Sequence, residues 1–331
     1  MSRNLKILLN ALVFFLIVGF GYYIVSSLNS DKKTTRSGEE HTEFILISPY
    51  VEINSFEIGS EIVNFDVYNG AIYAVSADRL SVIYGLDSEI SYGVVYDLSE
   101  GHHVRDITVD DDLIYLLYPT RIDVYNLKME KIGGWEACSN NSDYCAMTTS
   151  KNYVFVTDVT DKSITQYDKE GRLVRFIRSP VGFIIPSYAF DIININDTIY
   201  VSNSGRHRIE SYTLNGEFIT SFGRSGAGAG AFAGCCNPVY LAATAAGHIL
   251  TSEKGNPRIS SYGKDGKFRM ILFDKPMLGG GTEAYRMRVS GEVIYIASRR
   301  TISAYVFDST LLSSDKSCNK SCGGCKNACS K

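Results

Sequence analysis

The chain has almost no excess charge of either sign: 33 Lys and Arg stand against 36 Asp and Glu, a net of -3 over 331 residues. That balance gives no reason to expect a nucleic-acid surface or an electrostatic funnel for acidic substrates. Histidine is scarce at 5 and proline at 7. The glycine run Gly226 to Gly234 is followed by no Lys-Ser/Thr and no helix-opening pattern, which excludes a phosphate cradle. No cysteine follows the first apolar stretch closely enough to accept a lipid.

What is abundant points to an all-β fold. Tyrosine (22), phenylalanine (16) and glycine (29) suit many short strands joined by tight turns. The exception is Ile7 to Val25, nineteen residues in which Asn10 is the one strongly polar side chain. That length spans a bilayer, and Val25-Ser26-Ser27 is a poor cleavage site. An uncleaved anchor is therefore expected, with a cleaved signal peptide or a buried helix as alternatives. Arg3 and Lys6 before the segment are offset by Lys32, Lys33 and Arg36 after it, so charge does not set the orientation. A short basic tail, residues 1–6, before an apolar run is how exported chains begin, so the C-terminal mass is expected on the extracytoplasmic side. Residues 26–43 are polar and Ser/Thr-rich, a tether.

The strongest signal is internal repetition. A strand core recurs at Ile72-Tyr73, Ile114-Tyr115, Val154-Phe155, Ile199-Tyr200, Ile249-Leu250 and Ile294-Tyr295, the second positions lying 42, 40, 45, 50 and 45 residues apart. Each core is followed by a strand ending in Tyr84, Tyr125, Tyr167, Tyr212, Tyr262 or Tyr305. Hairpin signals such as Asn69-Gly70, Asp110-Asp111-Asp112, Asn215-Gly216 and Asp265-Gly266 lie between strands. Several strands per repeat of this length are what propeller blades need, because each small sheet buries its faces only against its neighbours. Six repeats predict a six-bladed β-propeller over residues 44–310. The last repeat stops after its third strand, so the strand-like stretch Glu43 to Phe56 is expected to complete it and close the ring.

Two repeats carry a finer pattern. Asn203-Ser-Gly-Arg206-His-Arg208-Ile209-Glu-Ser-Tyr212 with Leu214 to Phe218, and Glu253-Lys-Gly-Asn256-Pro-Arg258-Ile259 with Lys264 to Phe268, resemble the NHL-repeat propellers. The glycine-rich stretch Gly223 to Phe232 resembles the link such proteins place before a blade. The other four repeats keep the rhythm and lack the Asn and Arg. The resemblance implies the fold and a habit of binding proteins or other ligands on one face. Some propeller lyases place histidines around the channel; no equivalent trio is evident among His41, His102, His103, His207 and His248.

Eight cysteines fall in three groups beyond the apolar segment. Cys138 and Cys145 bracket a polar loop and are read as a small-loop disulfide, with a bridge to the adjacent pair Cys235-Cys236 as the rival. Cys318, Cys322, Cys325 and Cys329 crowd the tail, residues 311–331. They suit two disulfides, or an iron-sulfur cluster or zinc, although the spacing is not that of bacterial ferredoxins and no tail His completes a mixed zinc site. Asp110 to Asp112 are read as a turn in preference to a calcium loop. Asn140, Asn196 and Asn319 open N-x-S/T triplets.

Three functions follow as expectations. The first is a membrane-held scaffold that binds another protein or a small ligand, not nucleic acid, on the face carrying the blade-to-blade links, with His102, His103 and Asn237 on that face. The second is a redox protein using the tail or Cys235-Cys236. The third is a propeller hydrolase or lyase with a site of scattered residues.

Overall fold

A computed structural model describes residues 48–86, 91–98 and 103–313. The apolar segment 7–25, the tether 26–43, His102 and the tail cysteines Cys318, Cys322, Cys325 and Cys329 lie outside the described residues. Among the described residues no helix is long and apolar enough to cross a membrane.

The chain is a six-bladed all-β propeller of six four-stranded antiparallel sheets. After β1 (Tyr50–Glu57), the first blade is β2 (Asn64–Tyr68), β3 (Ala71–Val75), β4 (Arg79–Tyr84) and β5 (Tyr92–Asp97), in order from channel to rim. The second blade is β6 (Asp106–Asp110), β7 (Leu113–Tyr118), β8 (Arg121–Asn126) and β9 (Lys131–Glu136). The third is β10 (Tyr144–Thr149), β11 (Tyr153–Asp158), β12 (Ser163–Asp168) and β13 (Leu173–Ile177). The fourth is β14 (Ile192–Ile195), β15 (Thr198–Asn203), β16 (Arg208–Thr213) and β17 (Phe218–Phe222). The fifth is β18 (Tyr240–Ala243), β19 (Ile249–Glu253), β20 (Arg258–Tyr262) and β21 (Phe268–Phe273). The sixth takes β22 (Arg286–Ser290), β23 (Val293–Ser298) and β24 (Thr301–Phe307), and β1 supplies its outer strand. A short helix, α1 (Ser309–Ser313), follows.

The ring closes as the three-strand last repeat requires. β1 pairs with β24 from Tyr50 opposite Phe307 to Glu57 opposite Thr301. The turns are the tight hairpins expected: Asn69 and Gly70 both have positive φ (46° and 68°), the type I′ geometry that Asn-Gly supports with least strain. Asp111 and Asp112 do the same (49° and 59°), and Asp110 is paired with Lys169 at 2.7 Å, so the three aspartates form a turn.

The apolar interior is divided among the six blade contacts. Val75, Leu80, Ile107 and Leu116 fill the first, and Phe56, Phe65, Ile72, Tyr295 and Ile302 fill the one that closes the ring. Strands next to the channel strand are buried on both faces, which is why Ala71–Val75 and Leu113–Tyr118 read as almost unbroken apolar runs. The repeated tyrosines are wedges in these contacts. Tyr167, Tyr212 and Tyr262 are fully buried, and the last two meet Phe218 and Phe268 of their outer strands edge-on at 5.7 Å.

Candidate functional site

The NHL-like residues act on the links that enter their blades. Asn203 accepts from Ile184 N–H (3.0 Å) and donates to Gly182 O (3.2 Å) and to Glu210 (2.7 Å). Arg206 donates to the carbonyls of Gly182 and Val181. Gly205 comes so close that a Cβ there would lie 2.7 Å from Ile184 O, so a side chain would push the link away. In the next blade Arg258 binds Glu253 through two hydrogen bonds (2.7 and 2.9 Å) and donates to the carbonyls of Ala227, Gly228 and Ala231 in the glycine-rich link. The motif thus fixes two links whose far ends, Ser187-Tyr188 and Val239-Tyr240, reach the mouth of the channel.

The inner strands begin at that mouth, and the repeat sets equivalent positions there: Asn64, Asp106, Asp191, Tyr240 and Arg286 pair with Val75, Leu117, Ser202, Ser252 and Ala297 of their second strands. In the third blade a bulge between Tyr144 and Ala146 places Cys145 at this level. Below lie Asp66 and Arg288, two residues further along their strands.

Two carboxylates, the part-buried Asp66 and the buried Asp106, staple neighbouring blades. Asp66 accepts from Val67 and, across the interface, Val109 N–H; Asp106 accepts from Ile107, from Asn64 and from Met147 N–H of the third blade. Arg288 lies 3.4 Å from Asp66 and 3.6 Å from Asp106, balancing both. Burial raises both carboxyls above the ordinary range and Arg288 opposes the rise.

Asp191 differs. It is 8% exposed, one oxygen accepts from Leu241 N–H of the fifth blade (2.7 Å), and the other has no hydrogen-bond partner among the described residues. Burial pushes its carboxyl up to about 6, against the attraction of Arg286. Arg286 likewise makes no hydrogen bond or ion pair among the described residues; its guanidinium lies over the Tyr240 ring at 4.2 Å. Both face one cavity of about 180 Å³, to which every blade contributes, with Val63, Arg105, Cys145 and Tyr188 completing the wall.

Arg105 is already balanced: it pairs with Asp143 at 3.1 Å and lies 5.0 Å from the centre of the Tyr188 ring. Ser187 and Tyr188 sit in left-handed backbone (φ 55° and 56°) in a 3-10 turn. Such strain, on the order of 1–3 kcal/mol per residue, is held only where surroundings enforce it and gathers at functional sites. Here Asp143 accepts from Tyr188 O–H (2.6 Å) and the Cys145 thiol reaches Tyr188 O (3.1 Å). Burial pushes the Cys145 thiol up to about 12, so it is a neutral wall group and not a thiolate nucleophile.

The other candidates fall elsewhere. The four described cysteines are free thiols. Cys138 contacts Tyr167 O–H at 3.0 Å, in an open rim groove of about 350 Å³ where Arg178 pairs with Asp161 at 2.8 Å and Asp158 accepts from backbone N–H groups. Cys145 instead faces the channel mouth, so the two cysteines expected to bridge have different partners. Cys235 is exposed and Cys236 buried, their sulfurs 3.2 Å apart. Burial acts to raise the Cys236 thiol, but hydrogen bonds from Cys235 and Lys254, with the Lys254 charge, hold it below the ordinary range. His103 is exposed on the link into the second blade. Asn237 is 2% exposed, and its amide is used by Ala233 O, Lys254 O and Lys254 N–H. It fastens its link to the end of β19, with its amide taken up by backbone groups. Among the described residues no three His, Cys, Asp or Glu are gathered in a metal-binding group.

No protein-family model matches the chain, and no curated protein does. Solved propellers do. The virginiamycin B lyase from Staphylococcus aureus is 14% identical, with TM-score 0.54 over 78% of this chain and 99% of that one. A streptogramin B lyase structure is 11% identical, with TM-score 0.56 over 77% and 97%. A chain of the mitotic checkpoint complex is 9% identical, with TM-score 0.54 over 82% and 96%. At such identities the likeness is one of fold.

Proposed function

We propose that this chain is a binding propeller of the NHL-repeat type, tethered to a membrane on its extracytoplasmic side, whose channel mouth receives a small charged ligand. One observation carries the reading: Arg286, a cation that forms no ion pair among the described residues, faces a cavity that all six blades build. The strained Ser187-Tyr188 turn at the same cavity supports it, as does the use of the NHL-like residues to place that turn. Catalysis has less support, because the thiol in the wall, Cys145, is held neutral, and among the described residues no histidine lines the mouth. This last point sets the site apart from a propeller lyase whose histidine-to-alanine variant is described as catalytically inactive.

A thermal-shift screen of the full-length protein against small carboxylates, phosphates, amino acids and neutral sugars tests the reading. A ligand at about 100 times its Kd adds roughly 2.7 kcal/mol, a rise of about 5–10 °C for a domain of this size. Carboxylate-bearing compounds are expected to give that rise in the wild type and lose it in Arg286→Ala. Hits confined to neutral sugars, or indifferent to Arg286, would reject the mouth as the site.

The tether rests on Ile7 to Val25, whose length and apolarity suit a bilayer. Full-length protein is expected to stay in the membrane pellet after carbonate extraction and to be shaved by protease added outside intact cells. Release into the soluble fraction, or protection until lysis, would overturn it.

A further inference from the structure

We propose that the ligand of the channel mouth is a free α-amino acid, its carboxylate seated on Arg286 and its ammonium on the unpaired oxygen of Asp191. The inference rests on the binding reading above and names the ligand class for that site.

The argument is one of charge matching. In the lower channel Arg288 is balanced by Asp66 and Asp106, and at the mouth Arg105 is balanced by Asp143. What remains is one cation and one anion, Arg286 and Asp191, on the same cavity with no ion pair between them. Each is fixed where it stands, Arg286 against the Tyr240 ring and Asp191 by Leu241 N–H. Two opposite charges held apart in a partly dry site are costly unless something completes both. A simple anion would satisfy Arg286 but set a like charge against Asp191. A simple cation would do the reverse, and a neutral molecule would leave both unmatched. A zwitterion completes both without adding net charge.

Asp191 is the informative residue. Asp66 and Asp106 use both oxygens on backbone, side chains and Arg288, so their structural role is complete. Asp191 staples the fourth blade to the fifth with one oxygen and leaves the other aimed into the cavity, although its residue is more than nine-tenths buried. Size agrees. A cavity of about 180 Å³ holds the liquid volume of roughly six waters at ~30 Å³ each, below the ~300–1,000 Å³ of drug-sized pockets. The neutral wall groups Val63, Ala146 and Val239 leave room for a small apolar or polar side chain.

The pH dependence has a definite sign. Asp191 is faced by Arg286 and Arg288 of the sixth blade, Arg105 and Asp106 of the second, Cys145 of the third and Tyr240 of the fifth. Its carboxyl titrates at about 6, above its unfolded value, so the ammonium partner is present above that pH and is lost as pH falls through it. Ionising Asp191 also disfavours the fold as pH rises through about 6. Asp191→Asn is therefore expected to fold at least as stably as wild type at neutral pH, which keeps the variant usable.

The test is calorimetric titration of full-length protein with each of the twenty common L-amino acids, then with the des-amino acid and the decarboxylated amine of the tightest. At pH 7.5 the amino acid is expected to bind at least tenfold more tightly than either analogue, and its affinity to fall as pH drops from 7 to 5. Asp191→Asn should weaken the amino acid at least tenfold, remove that pH step and spare the des-amino acid. Arg286→Ala should weaken the amino acid and the des-amino acid alike. A des-amino acid that binds wild type as well as the amino acid, and depends on Arg286, would overturn the zwitterion while leaving the binding reading intact. Absence of binding by the whole set, with no Arg286-dependent hit in the wider screen, would remove both.

Discussion

Arg258→Ala is expected to lower stability by about 3–5 kcal/mol and the melting temperature by on the order of 10 °C. The substitution would leave Glu253, with 2% of its side chain exposed, as a buried charge without its partner. Burial already raises the Glu253 carboxyl and Arg258 is the main group that lowers it, so the orphaned side chain would take up a proton more readily. The same change frees the three link carbonyls that Arg258 holds. Most of the loss should return in the double variant Glu253→Leu with Arg258→Met, because an apolar pair of similar volume tolerates burial better than one unmatched charge. Urea unfolding at pH 7 measures both. A single variant within about 1 kcal/mol of wild type would mean that the pair contributes no more than a surface bridge.

Removal of β1 is expected to be still more damaging. A chain beginning at Ile58 leaves the sixth blade with three strands and β24 with an unpaired edge. It loses seven residue pairs and the buried Phe56. At roughly 1 kcal/mol for each hydrogen bond lost and about 3 for Phe56, the deficit is on the order of 5–10 kcal/mol. That is comparable to the whole stability of a typical domain, about 5–15 kcal/mol. Size-exclusion chromatography is expected to show associated material, whereas a chain beginning at Ser48 elutes as the intact ring. A synthetic peptide covering residues 48–57 should restore the monomer when added in trans. A folded monomer without β1 would show that the ring tolerates an open blade.

Much of this architecture was legible because it is periodic. The Ile-Tyr cores and strand-ending tyrosines repeat, and a missing fourth strand after Phe307 asks for a partner from the other end of the chain. The site was not legible for the converse reason. Asp191 and Arg286 belong to different repeats and meet only once the ring has closed. A signal did exist: Asp106, Asp191 and Arg286 are polar residues at the same repeat position, just where an inner strand begins. Cys145 looks like the end of a loop in sequence, because the one-residue bulge that turns it into the mouth leaves no sequence mark. The two bonds that tie Asn237 to Lys254 are tertiary and leave no local mark.

Closure by β1 also decides where the two ends of the ring leave it. Asp308 N–H donates to Pro49 O at 2.6 Å, beside the Tyr50–Phe307 pair, so both ends depart from one point on the rim, at the opposite end of β1 from the links and the mouth. A pull on the two ends together would therefore load the β1–β24 ladder one rung at a time, as a zip, and not all at once. Mechanically this is the seam of the ring, and it lies at the opposite end of β1 from the mouth.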